Sequence, residues 1–361
     1  DGDPDPYRRL VAKLKRTARQ LMSWAGKKVG TVKLQLMTAR EVVYRLDTAM
    51  ETRQLSADER AIRAKLKHTY LGLASLERTM ARQRAKLAWL KEGDANTAFF
   101  HQHASYRRQK NVIHSLQVNG AIEVEHAAMA EATFDHFQAL LGTTSQREFS
   151  LDLDFLGIHA EELSELDAPF TEEEVWDVIK RLPHGKTPGP DGFTAEFIQA
   201  CWQIIKADFM LAFDKLHTMN GRGFQGLNQA LIIPLPKKCD AAALGDYRPI
   251  SLIHIFAKLV AKVMASRLAP RLGAMDLNQC AFIQKRCIHD NFMLVQQTAR
   301  LLHRLKEPRV MLKLDIARAF DSVSWALLFE VLRRIRFDLV VPQLTRPLYP
   351  SVTLSGGIPH H

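Results

Sequence analysis

Cysteine is scarce in this 361-residue chain: four residues, at 201, 239, 280 and 287, with no C-x-x-C pair among them. A disulfide framework and a zinc ribbon are thereby excluded, and buried free thiols in a reducing compartment are expected. The fourteen histidines show no H-E-x-x-H spacing. His101 and His103 in "FFHQH" would clip a metal only if they lay on a strand. No apolar run reaches the roughly 20 residues of a membrane span. The N-terminus "DGDPDPYRRL" has neither a signal-peptide pattern nor an initiating Met, so the chain is expected to begin inside a longer reading frame. No two aspartates are adjacent anywhere. Acids are also outnumbered, giving a net charge of +11 and a sequence pI near 9.5. That balance favours a polyanionic partner, nucleic acid before membrane. With 47% apolar and 25% charged residues the chain is ordinary for a globular protein and long enough for two or three structural units.

What is present reads as helices first. Residues 7–46, rich in Lys, Arg, Leu and Ala and interrupted by Gly26 and Gly30, form one or two. Ser56, with Glu59 three residues on, starts a longer helix. Its positions Ile62, Leu66, Tyr70, Leu73, Met80 and Leu87 keep helical spacing, as in an antiparallel pair with an apolar seam. Basic residues dominate its far end. Arg82, Arg84 and Lys86, then Arg107, Arg108 and Lys110 in "SYRRQKN", interleave with Trp89, Phe99, Phe100 and Tyr106, which suits nucleic-acid backbone. "VIHSLQVNGAIEVE" predicts a hairpin turning at Asn119-Gly120. A helix over 126–141 and a polar linker to about 168 follow.

From Thr171, a cap before an acidic first turn, the pattern mixes types. "PHGKTPGPDGF" is a rigid loop whose charges are Lys186 and Asp191. Thr194 opens a helix through Phe213, and "QALIIPLPK" is extended. "GDYRPISL" reads as a turn into a helix ending near Pro270. A loop and helix lead to an alternating strand, 310–315, which stops at Asp315. A last helix carries Leu327, Leu328, Val331, Leu332 and Ile335. The order suggests an α+β fold.

Several stretches in one order, "KTPGPDGFTAEFI", "IIPLPKK…DYRPISL", "AKLVAKVMASRL", "NQCAFIQKRCIHDN" and "LKLDIARAFDSVSW", resemble the reverse transcriptase of LINE-type (non-LTR) retrotransposons. "LAWLKEGDANTAFFHQHASYRRQKNVIHSL" looks like the segment preceding that domain in plant elements. The resemblance covers roughly residues 85–337. Together with the helices read above it divides the chain into a basic helical lead-in over 1–95, a connecting segment over 96–170, and fingers with the first palm strand and helix over 171–337. Residues 338–361 form an unassigned tail.

The resemblance also implies site residues. Asp315, with the Ile316 carbonyl, matches the first Mg²⁺ anchor of the palm, where hard cations take oxygen ligands. Phe320 matches the ring beneath the nucleotide sugar; Asp321, by its position alone, caps or braces the following helix. Lys237 and Arg248 resemble the residues that grip the triphosphate, since a guanidinium fork binds phosphate oxygens bidentately. Lys238 is expected to be an ordinary surface charge. Gln279, Phe282 and Arg286 belong near the template and nucleotide pocket, although Gln284-Lys285 departs from the commoner loop sequence. The implied partners are an RNA template, a DNA primer or target and deoxynucleotide triphosphates. An intracellular location and an upstream endonuclease also follow, while self-association through the N-terminal helices is a separate alternative that the resemblance does not imply.

The Gln-Gly-x-Pro loop and the Asp-Asp hairpin of that family are missing. The sequence therefore predicts a truncated polymerase, inactive as this polypeptide, with strand 310–315 short of neighbours. Asp315 is expected in a cleft shared with Arg248 and Phe320. A non-enzymatic nucleic-acid binder and a group II intron maturase-like protein are the alternatives.

Overall fold

The computed structural model describes residues 4–28, 30–85, 102, 105–106, 109, 111–142, 151–155, 164–218, 223–275, 279–281, 283, 286–306, 308–310, 312, 314–315 and 323–334. Among them the elements run α1 (Pro6–Lys28), α2 (Val32–Thr52), α3 (Ala57–Ala85), β1 (Leu116–Val118), β2 (Ala121–Glu123) and α4 (His126–Gly142). There follow α5 (Glu172–Lys180), α6 (Ala195–Thr218), β3 (Ala230–Pro236), β4 (Tyr247–Ile253), α7 (Ile255–Met275), α8 (Ile288–Leu305) and α9 (Trp325–Arg334). The composition of elements is the α+β mix expected, mostly helical with two small antiparallel sheets.

Local signals explain most element starts. Ser56 and Glu59 form a reciprocal capping box: the Glu59 amide donates to Ser56 Oγ at 3.1 Å, and the Ser56 amide donates to Glu59 Oε2 at 2.8 Å. Thr171 Oγ1 accepts from the Glu174 amide at 3.2 Å and opens α5. The β1–β2 hairpin turns at Asn119 (φ 51°) and Gly120 (φ 87°), the two left-handed residues a tight two-residue turn demands. Helices α2 and α3 fold back on each other. Val32, Leu36 and Ala39 of α2 are buried, and Asp47 pairs with Arg63 and Lys67 across the seam. Leu66, Tyr70, Leu73 and Met80 are half-buried there as the spacing predicts, but Ile62 is 51% exposed and lies off the seam.

The main core joins α1, α5, α6, α7 and α9. Phe256, wholly buried, is its hub: its ring lies 4.9 Å from Phe213, 5.8 Å from Phe224, 5.9 Å from Phe209 and 6.4 Å from Tyr7. Each buried aromatic of this kind contributes about 1.5–3 kcal/mol by area, and tilted ring pairs add about 0.5–1.5. Through Tyr7, Leu10 and Leu14 the N-terminal helix packs into the same core as α6 and α7. A second core unites Leu116, Met129 and Phe137 with Ile232 of β3 and Tyr247 of β4. The short hairpin and α4 thus rest on the β3–β4 pair, where the Gln117 amide donates to the Ala242 carbonyl at 2.9 Å.

Four expectations are corrected. Residues 247–253 form strand β4, because β3 supplies an antiparallel partner along seven positions. Pro234 and Pro249 stand opposite each other there. The Lys237 amide donates to the Asp246 carbonyl at 2.9 Å, so alternation along the ladder makes 234/249 a non-bonded pair. Their missing N–H groups therefore face outward, where no ladder bond is lost. Helix α7 runs through Pro270 to Met275 rather than stopping near it. Of the cysteines, all free, only Cys280 is buried, while Cys239 and Cys287 are exposed. Finally, the described residues of 310–315 form no strand. Val310 is 97% exposed, and Leu312 and Leu314 are nearly as open, since no described segment offers them a ladder.

Candidate functional site

The β3–β4 pair sets its cations at one end. Arg248 stands across from Leu235, on the face opposite buried Ile232 and Tyr247, together with exposed Ile233 and Ile250. Lys237 follows the last residue of β3, and its Nζ donates to the Gly245 carbonyl at 2.7 Å. The loop between the strands is tied by Asp246, whose Oδ2 accepts from the amides of Ala242 and Ala243, both at 3.2 Å. Lys238 Nζ lies 3.1 Å from Asp246 Oδ1. That contact holds the Asp246 carboxyl below the usual carboxylate range and raises Lys238.

The three neighbouring cations therefore differ in state. Lys238 is neutralised by Asp246. Among the described residues neither Lys237 nor Arg248 is paired with a carboxylate. Both are exposed, so the strand end presents two positive charges to solvent. A cavity of about 540 Å³ opens beside this loop, walled by Gln117, Asn119, Glu131, Asp135, His136 and Gly245. Its two carboxylates make it a poor host for phosphate. The cation-bearing face is the one suited to an anion.

Gln279 and Arg286 are also brought together: an Arg286 guanidinium nitrogen donates to the Gln279 carbonyl at 2.7 Å. Cys280 Sγ reaches Asn291 Oδ1 at 3.2 Å and fixes this loop to the first turn of α8. Arg82 is exposed on α3; Arg84 lies in α3, with its side chain outside the described residues. Ile316, Phe320, Asp321, Phe282, Lys86, Arg107, Arg108 and Lys110, and the histidines 101 and 103, also fall outside them. Asp315 is described and exposed, in no helix or strand. The cleft expected to join it to Arg248 and Phe320 involves Phe320, which lies outside the described residues. The Asp315 neighbours 316–322 lie outside the described residues as well. No group of three or more His, Cys, Asp or Glu able to hold a metal occurs among the described residues. Asp315 is one of the several oxygen ligands that a Mg²⁺ ion takes, and the residues that follow it lie outside the described ones.

One residue whose role the sequence did not disclose is Asp191. Its carboxylate, 2% exposed, accepts from the Ile255 amide at 2.7 Å and lies 3.5 Å from His254 Nδ1. It caps α7 from 64 positions upstream and so locks the 185–192 loop to the end of β4. Gly189 makes the approach possible: a Cβ there would stand 2.0 Å from the Ile253 carbonyl oxygen. The only signal in the sequence was the Pro-Gly-Pro-Asp-Gly run itself.

Residues 235–357 match the family described as reverse transcriptase (RNA-dependent DNA polymerase). That match begins on β3 and takes in the cation-bearing strand end, the 279–286 loop and Asp315. The chain is similar to the "Transposon TX1 uncharacterized 149 kDa protein" of Xenopus laevis, 29% identical over 187 residues, which are 52% of this chain and 14% of that protein. It is 27% identical over 168 residues to the "Retrovirus-related Pol polyprotein from type-2 retrotransposable element R2DM" of Drosophila melanogaster, covering 45% of this chain and 15% of the relative. A type-1 retrotransposable element R1 polyprotein of Bradysia coprophila is 28% identical over 157 residues, 42% of this chain and 15% of its own length. The matched stretch is thus about one seventh of each of these curated relatives.

Proposed function

We propose that this chain carries part of the reverse transcriptase of a non-LTR retrotransposon, with the plant-type lead-in that its sequence resembles. Its ligands are an RNA template, a DNA primer or target strand and deoxynucleotide triphosphates. Lys237 and Arg248 grip the triphosphate, Gln279, Phe282 and Arg286 border the template and the base, and Phe320 lies under the sugar. Arg82, Arg84, Lys86, Arg107, Arg108 and Lys110 form a track for nucleic-acid backbone. Asp315, with the carbonyl of Ile316, is one part of a metal site of the kind reverse transcriptases generally use for Mg²⁺.

The observation that carries this reading is the strand end at Lys237 and Arg248. There two cations with no carboxylate partner among the described residues project beside a third that is neutralised, within the stretch that matches the reverse transcriptase family. By itself this 361-residue stretch, which holds no adjacent aspartates, is expected not to polymerise. Photo-crosslinking with an azido-deoxynucleotide triphosphate tests the grip. Labelling of peptides spanning 237–248 is expected to fall about tenfold in Arg248→Ala, as loss of a charge-assisted contact predicts. Unchanged labelling refutes the assignment. Primer extension on an RNA template, with product abolished by Asp315→Ala, refutes inactivity.

The exposure of Asp315 favours a second reading, a nucleic-acid binder without chemistry. It predicts salt-dependent RNA binding with no triphosphate labelling at all.

A further inference from the structure

Between Asp5 and Glu41 the sequence places ten Lys and Arg and no acid in 35 residues. The core uses part of that charge: Lys13 Nζ bonds Asp208 at 2.8 Å, with Arg9 at 3.8 Å from the same carboxylate. Past Ala18 helix α1 leaves the core, and no residue from 19 to 28 is buried. Lys27, Lys28 and Lys33 are exposed around the turn into α2, and among the described residues none has an acidic partner. Trp24, one turn before the lysines, is 58% exposed.

The fold adds a cation from elsewhere in the chain. Asp47 holds both Arg63 and Lys67, which sets the antiparallel register of α2 and α3. Carried along both helices at the standard rise, that register brings Arg82 level with the α1–α2 turn. Val32 and Ala81, both buried, fall at matching positions of that register. Arg82 is exposed beside it.

Like charges gathered about one turn repel in the absence of an anion. Lys33 also occupies the first turn of α2, where the helix dipole disfavours positive charge and no acid offsets it. An open indole beside such a cluster is a flat apolar platform flanked by phosphate-binding groups. Unpaired bases stack on such a platform, whereas duplex bases are already stacked on each other.

We propose that the α1–α2 elbow binds single-stranded RNA, with Lys27, Lys28, Lys33 and Arg82 on the phosphates and Trp24 beneath one base. The choice of RNA over other polyanions rests on the reverse transcriptase reading; the cluster itself does not.

The test is fluorescence anisotropy of a labelled single-stranded RNA with the full chain, titrated from 50 to 200 mM salt. The triple variant Lys27→Ala, Lys28→Ala, Lys33→Ala is expected to reduce the slope of log K against log salt by about 2, at roughly 0.7 per phosphate. Trp24→Ala is expected to weaken binding about tenfold with the slope unchanged, and Trp24→Phe to restore most of it. All four side chains are exposed, so far-UV circular dichroism should match the parent. Equal affinity and slope in the triple variant overturn the proposal. So does loss of phosphatidylserine-vesicle binding without loss of RNA binding, which assigns the elbow to a membrane surface. A parent chain that binds no RNA overturns both this site and the reverse transcriptase reading; a binding parent with indifferent variants overturns the elbow alone.

Discussion

Arg267 offers the sharpest test of how the scaffold beneath the candidate site is held. Its side chain, 11% exposed on α7, makes five hydrogen bonds. Two go to Glu174 of α5, at 2.6 and 2.7 Å, in a bidentate fork. Three go to the carbonyls of Leu166, Ala168 and Pro169, at 2.8, 2.6 and 3.0 Å. The guanidinium also lies 4.5 Å from the Phe170 ring centroid. Replacement by Met leaves the Glu174 carboxylate, 25% exposed, without its counter-charge and takes the donor from three carbonyls, of which those of Ala168 and Pro169 can turn to water. Breaking a buried pair from one side costs about 3–5 kcal/mol, and the partial exposure of Glu174 favours the lower half of that range. Lys would keep the charge and lose the fork, at about 1.5–3 kcal/mol. Urea denaturation reports it through Trp176 and Trp202, which stack at 6.1 Å within the same core. Arg267→Met is expected to lower the midpoint without changing the slope, and a cycle with Glu174→Gln should show about 1–3 kcal/mol of coupling. A loss under about 1 kcal/mol, or no coupling, would show that the clamp is solvated and that packing alone joins α5 to α7.

Two further outcomes follow from particular contacts. The side-chain hydrogen bond from Arg53, with the amide of Ser56, lowers the Glu59 carboxyl from 4.5 to about 2. A depressed acid stabilises above its unfolded value and loses that contribution as pH falls through the folded one. The start of α3 should therefore loosen between about pH 4.5 and pH 2, and a Glu59 titration midpoint by NMR near 4.5 would remove the effect. At Gly189 even a methyl group meets the Ile253 carbonyl, so Gly189→Ala is expected to cost about 1–3 kcal/mol or more. A thermal melt matching the parent would mean the loop moves freely off β4.

Signals confined to a few residues were legible without coordinates. The Ser56–Glu59 box, the Thr171 cap and the Asn119-Gly120 turn each satisfy backbone groups within three positions, so the local sequence suffices. The match over 235–357 was legible for the same reason, as motifs along one stretch of chain. Strand β4 was misread because Tyr-Arg-Pro-Ile has a turn's composition, and only pairing with β3 makes it a strand. The pattern at 310–315 erred in the other direction. Alternation is a capacity for a sheet, and no described strand meets it.

The amino-acid order alone determined the basic charge, the helix starts, the tight hairpin and the ordered motifs shared with reverse transcriptases. Tertiary structure decided which of the many cations stay available. Asp208 takes up Lys13 from 195 positions away, Glu174 holds Arg267 from 93, and Asp246 neutralises Lys238 while Lys237 and Arg248 keep their charge. Propensity and capping act through neighbours along the backbone, whereas neutralising a charge requires a partner that only folding brings within about 4 Å.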